Sequence, residues 1–194
     1  MPKATGPVYR VPFRRRRDSL TNYAKRLALV KSGKPRMVVR KSLKRVSVQF
    51  MGFAGAGDEV IAAADSRELA GLGWVPRRNL PTAYLVGALA GRRAREKGVS
   101  GFVLDIGLGA ASKGALPFAA AKGAVDAGLE GVPGEGKVDE ARVSGAHVAK
   151  YAESIKGSPQ YGKQFGAFVK AGGVPEKLPE LFAAAKAKVL KGGA

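Results

Sequence analysis

Arg36-Met37-Val38-Val39-Arg40, the link Lys41-Ser42-Leu43-Lys44, and Arg45-Val46-Ser47-Val48-Gln49-Phe50-Met51 form the stretch that decides the fold. The second run alternates, with Val46, Val48 and Phe50 on one face and Arg45, Ser47 and Gln49 on the other, the period of a half-buried strand. The first run is short and β-branched, and the basic link fits a tight hairpin connection. After a flexible turn over Gly52–Gly57, Glu59–Ala64 reads as a third strand. Three strands with short links predict an antiparallel meander.

Downstream, Asp65–Asn79 reads as irregular. Asn79 is placed to cap a helix over Leu80–Lys97, with Pro81 in its first turn. That helix presents Leu85, Ala88 and Leu89, with Gly87 and Gly91 small enough for a close neighbour. Arg92, Arg93, Arg95 and Lys97 suit its negative end, and Gly98 stops it. Phe102–Ile106 reads as a buried strand and Leu116–Leu129 as a helix with Phe118, Ala121, Val125 and Leu129 inward. Helix, strand and helix after a meander predict an α/β fold: a mixed sheet with helices packed on it.

Beyond Gly131 the chain turns Gly- and Pro-rich. Val143–Lys156 reads as a helix and Gly157–Gly173 is weakly patterned. Leu178, Leu181, Phe182, Ala185, Val189 and Leu190 then mark a terminal amphipathic helix. Upstream, three prolines and Gly6 make residues 1–13 an extended arm. Arg15–Lys31 follows with an apolar stripe of Leu20, Tyr23, Ala24, Leu27 and Val30 that leaves Arg17, Lys25 and Arg26 outward. The 194 residues hold one compact domain with extensions or two small ones. The division expected is an arm over 1–14, an α/β core over 15–131 and a mainly helical extension over 132–194.

Charge points to the partner. Residues 1–45 carry fifteen of the 34 Lys and Arg against one acid, Asp18, and so hold +14 of the net +19. Clustered cations repel one another in the free chain, whereas a polyanion binds them by releasing its condensed counterions. Arg14-Arg15-Arg16-Arg17, flanked by Tyr9, Arg10 and Phe13, combines guanidiniums that grip phosphate bidentately with rings that stack on bases. This reads as a nucleic-acid binder with RNA preferred.

Other classes find less support. Apolar residues at 45% suffice for a core, so wholesale disorder is not expected. The absence of cysteine excludes disulfides, zinc knuckles and thiol catalysis. No apolar run approaches a transmembrane length, and the N-terminal stretch lacks the apolar region of a secretory signal. Pro2, Pro7 and Pro12 break the amphipathic helix that a mitochondrial presequence needs. Arginines interleaved with prolines are a poor membrane-surface segment.

Gly107-Leu108-Gly109 follows a strand, but the third position of a dinucleotide fingerprint would be Ser112. Gly52 and Gly57 have Walker-like spacing, yet Asp58 and Glu59 stand where Lys and Ser or Thr are needed. His147 is the sole histidine and has no nucleophile elbow to serve. Asp105 ends a strand, where a cap or local hydrogen bond accounts for it. No enzyme, cofactor, metal or small-molecule substrate is expected.

The sequence resembles a known family. Gly6-Pro7-Val8-Tyr9-Arg10-Val11-Pro12-Phe13-Arg14-Arg15-Arg16-Arg17 is similar to the start of archaeal and eukaryotic members of the large-subunit ribosomal proteins that bind 5S rRNA (ribosomal protein L eighteen). The similarity continues through Tyr23, Arg26-Leu27, Lys31-Ser32-Gly33-Lys34-Pro35-Arg36 and Val39-Arg40-Lys41-Ser42. It extends to Gly73-Trp74, Asn79-Leu80-Pro81-Thr82-Ala83-Tyr84-Leu85 and Leu89-Ala90-Gly91. Val103-Leu104-Asp105-Ile106-Gly107-Leu108, Gly123 to Leu129 and Gly145 to Tyr151 complete it. These blocks span roughly the first three quarters of the chain, in order; after about Ile155 the match is loose.

The resemblance implies a cytoplasmic ribosomal protein in the central protuberance of the large subunit. Its implied partners are 5S rRNA, the large-subunit rRNA and a neighbouring 5S-binding ribosomal protein, with an N-terminal arm threading into RNA. It also accounts for Asp105, Gly107 and His147 without catalysis.

Three RNA-binding surfaces are expected. Tyr9, Arg10, Phe13 and Arg14 to Arg17 form the first, with Lys25 and Arg26 beside them. Lys34, Arg36, Arg40, Lys41, Lys44 and Arg45 form the second. Arg77, Arg78 and Asn79 form the third, with Trp74 either stacking on RNA or filling a core gap. The alternative class is a general nucleic-acid-binding architectural protein, which the charge alone also fits.

Overall fold

The structure, a computed structural model, describes residues 6–132, 134 and 136–192. Strands β1 (Arg36–Lys41), β2 (Val46–Ala54) and β3 (Gly57–Asp65) form the expected antiparallel meander, and β4 (Val103–Asp105) joins β1 in parallel. The sheet order is β3-β2-β1-β4, so it is mixed. Registers Met37↔Phe50, Val39↔Val48 and Phe50↔Ala62 gather the apolar residues on one face. Met37, Val46, Val48 and Phe50 are fully buried there. Burying each of these side chains stabilises the fold by about 1.5–3 kcal/mol.

Helices α3 (Leu80–Glu96) and α4 (Leu116–Asp126) cover that face. They meet through glycine: a Cβ on Gly87 would fall inside the carbonyl of Ala120, one on Gly123 inside that of Tyr84, and one on Gly91 would lie 2.8 Å from the Ala124 Cα. Asn79 caps α3, its Oδ1 accepting from Thr82 N at 3.0 Å. The cations at the far end of α3 serve their neighbours' backbones. Arg93 donates to Ala63 O (2.7 Å) and Lys97 to Ile61 O along the free edge of β3, while Arg95 reaches Ala127 O (3.2 Å). Arg92 donates to Val189 O at 3.0 Å, on α8 (Leu178–Lys191). Leu178, Phe182, Ala185 and Val189 of α8 belong to the same buried cluster as α3 and the sheet.

Several local expectations change. The helix expected over Arg15–Lys31 is two: α1 (Arg14–Arg17) and α2 (Tyr23–Lys31). Ser19 takes φ 52 between them, and Asn22 starts α2 afresh by accepting from Lys25 N at 3.1 Å. The apolar stripe expected there is not buried, with Leu20 and Leu27 more than half exposed. The Gly52–Gly57 turn shrinks to Gly55-Ala56 because both strands run on. Ser66–Leu72, expected as irregular, is a 3-10 turn capped reciprocally by Asp65 and Glu68.

The helix expected over 143–156 is broken into α5 (Glu140–Ser144) and α6 (Ala146–Ser154). Gly145, at φ 83, separates them; a Cβ there would lie 2.6 Å from the Leu178 side chain. The weakly patterned 157–173 contains α7 (Pro159–Val169), where Tyr161, Phe165 and Phe168 recur at i, i+4 and i+7 although no residue of the helix is fully buried. Residues 1–5 of the expected arm lie outside the described residues.

Candidate nucleic-acid interface

Helix α1 is a single turn made wholly of arginine, with every side chain exposed. Successive residues of a helix point about 100° apart, so the four guanidiniums radiate around the axis and reach phosphates on more than one side. Arg15 is steadied by Thr21, its Nε donating to Oγ1 at 2.8 Å. Phe13, directly before the turn, is 71% exposed and its ring centre lies 5.2 Å from that of Tyr23 on α2. Val8, Val11 and Tyr9 are also exposed. Apolar and aromatic groups left in water between arginines are the pattern of a segment that completes its packing on a partner.

Around the hairpin, Lys34, Arg40, Lys41, Lys44 and Arg45 are all exposed. Arg36 is not, and its expected role as a surface contact is corrected. It is 4% exposed on the outer face of the sheet, where its guanidinium lies 2.6 Å from Asp58 and 3.0 Å from Asp105. Burial in low dielectric demands such pairing of a guanidinium. Asp58 also takes Arg26 at 2.9 Å, which ties α2 to β3. Asp105 in addition accepts from Gly107 N at 2.9 Å, the local role expected of it. No helix follows Gly107-Leu108-Gly109 until Leu116, so the strand–turn–helix of a dinucleotide site is missing.

The third set is divided. Trp74 fills a core gap: it is 3% exposed, its Nε1 donates to Thr82 Oγ1 at 2.9 Å, and its ring lies edge-on to Phe182. Stacking on RNA by Trp74 is therefore excluded. Asn79 is committed to the α3 cap and Arg77 donates to Ala167 O on α7, while Arg78 is exposed. His147 is exposed on α6.

The structure brings Arg15, Lys25, Arg26, Arg36 and Arg40 together around a cavity of about 360 Å³ between α2 and the outer face of the sheet. Sequence reasoning missed the acids of this site. Asp58 was legible only as the residue that spoils a Walker-like loop, and nothing local links it to Asp105, 47 positions away in the chain. Among the described residues no group of three or more His, Cys, Asp or Glu is placed to hold a metal, and no helix is long and apolar enough to cross a membrane.

Comparison with known proteins fits this arrangement. Residues 8–101 match the family described as "Ribosomal large subunit proteins 60S L5, and 50S L18". The large ribosomal subunit protein uL18 of Ignicoccus hospitalis is 48% identical over 192 residues, 97% of this chain and 94% of its own. That of Korarchaeum cryptofilum is 46% identical over 177 residues, 90% of each. The chain belongs to the uL18 family.

As a uL18 protein it is a constituent of the large subunit of the cytoplasmic ribosome, a part of the translation machinery and not an enzyme. The match to the uL18 of Ignicoccus hospitalis runs through α7 and α8, where the sequence blocks had become loose.

Proposed function

We propose that this uL18 protein binds 5S rRNA and attaches it to the large-subunit rRNA in the central protuberance, beside a neighbouring 5S-binding ribosomal protein. The observation that carries the reading is the exposed arginine turn Arg14–Arg17, set between Phe13 and Tyr23 at the head of a segment holding +14 of the chain's +19. A-form RNA hides its bases in a deep groove and is recognised by phosphates, 2′-hydroxyls and unpaired loops, which this mixture of guanidiniums and rings suits. The arm (1–14) and the exposed cations of the β1–β2 hairpin grip RNA, the core (15–131) holds them in place, and the helical extension (132–194) buttresses α3.

The test is a gel-shift titration of the full chain with its cognate 5S rRNA against a duplex DNA of equal charge. Binding that resists the DNA supports the reading. Equal displacement by DNA would favour a general architectural nucleic-acid binder instead.

A further inference from the structure

We propose that the free edge of β4 receives an extended segment of a neighbouring protein, which adds to the sheet as a further strand. The two edges of the sheet differ. On β3, Arg93 donates to Ala63 O at 2.7 Å and Lys97 to Ile61 O, so side chains occupy acceptors that a second chain could otherwise use. Among the described residues β4 has no such guard. Val103 N donates to Pro35 O at 3.0 Å, which turns Val103 toward β1 and the N–H and C=O of Leu104 to the opposite side. A ladder begins there, with Phe102 N donating to Glu130 O at 3.0 Å, and stops after that one bridge. The chain leaves at Gly131, where a Cβ would lie 2.6 Å from the Phe102 ring, and Val132 is left 76% exposed. Among the described residues nothing pairs with Leu104 N–H, Leu104 O or Phe102 O.

This edge opens onto a cavity of about 420 Å³ lined by Phe102, Leu104 and Val132 together with Lys34 and Glu130. Its lining points to the occupant. One cation and one acid cancel, so the cavity is a neutral spot on a chain of net charge +19 and offers a phosphate backbone no net attraction. A donor and acceptors at strand spacing match another peptide backbone, and the apolar walls take its alternate side chains. The proposal rests on the chain's place in the large subunit, where other proteins surround it, and not on its binding of 5S rRNA.

The experiment reads hydrogen exchange residue by residue in the full chain alone, in its mixture with 5S rRNA and in purified large subunits. Leu104 N–H should exchange fast in the first two, while Val103 N–H, bonded to Pro35 O, stays slow and shows that β4 is folded. In the subunit Leu104 N–H should slow by roughly ten-fold or more. Slow exchange of Leu104 in the free chain, protection by 5S rRNA alone, or fast exchange in the subunit would each overturn the proposal. The subunit measurement decides it whether or not the free chain binds 5S rRNA.

Val132→p-benzoylphenylalanine, a photo-crosslinking substitution at an exposed position, identifies what covers the edge in the assembled subunit. An adduct mapped to an extended segment of another ribosomal protein supports the proposal. Adducts only to rRNA, or to a second copy of this chain, overturn it.

Discussion

Arg36 Nη2 lies 2.6 Å from Asp58 Oδ2, both side chains largely buried, so a cation on β1 and an anion on β3 are fixed to each other across β2. Asp105 on β4 completes the group at 3.0 Å from Arg36. Removing Arg36 leaves Asp105 with only the Gly107 N–H and Asp58 with only the partly exposed Arg26. Arg36→Ala should therefore lower unfolding free energy by about 3–5 kcal/mol, read by urea denaturation. Combining Arg36→Met with Asp58→Asn and Asp105→Asn should recover most of that loss. A small effect of Arg36→Ala would show that the group is solvated.

The α3–α4 contact yields a paired prediction. Gly87→Ala gains helix propensity but drives a methyl into the Ala120 carbonyl, and backbone cannot yield as a flexible side chain can. It should destabilise by about 3 kcal/mol or more. Gly162→Ala in α7 meets nothing within 4 Å and should instead stabilise by about 0.5–1 kcal/mol. Thermal melts of both variants against wild type check the opposite signs.

Tyr84 sets an alkaline limit. Burial, then its hydrogen bond to Asp126, push its phenol far above the ordinary value near 10. Above pH 10 the unfolded chain loses this proton and the folded chain keeps it. The folded state then binds more protons, and stability falls as pH rises by about 1.4 kcal/mol per unit from this group. The urea midpoint should fall further between pH 9 and pH 11.5 for wild type than for Tyr84→Phe, and equal falls would contradict this.

Much of the fold was legible because its signals are local. The period-two run at Val46–Phe50, the Asn79 cap with Pro81, and the paired small residues Gly87 and Gly91 each state their own structure. What was not legible depended on distant partners. Arg36 looks like its exposed neighbour Arg40 until Asp58 and Asp105 are brought beside it. Trp74 had two readings until Thr82 and Phe182 closed around it. The break at Gly145 follows from the packing of Leu178, 33 residues on. Likewise the stripe Leu20–Leu27 has a helical period, but among the described residues no element covers it.

Phe13 offers a test of the arm's aromatic component. Its ring is 71% exposed and touches Tyr23, so Phe13→Ala should leave stability almost unchanged. Binding to 5S rRNA should weaken by about 1–3 kcal/mol with the salt slope intact, since stacking releases no counterions. A parallel fall in slope would mean that the substitution displaced the arginines.

Whether the arginine-led arm of this uL18 protein grips 5S rRNA is decided by the salt dependence of that binding for the full chain and for a truncation lacking residues 1–17. The full chain should bind tightly with a steep logarithmic slope, and the truncation should lose both affinity and about 0.9 units of slope for each phosphate contact removed on a duplex. An unchanged slope in the truncation would take Arg14–Arg17 out of the interface and leave 5S rRNA binding by the arm without support.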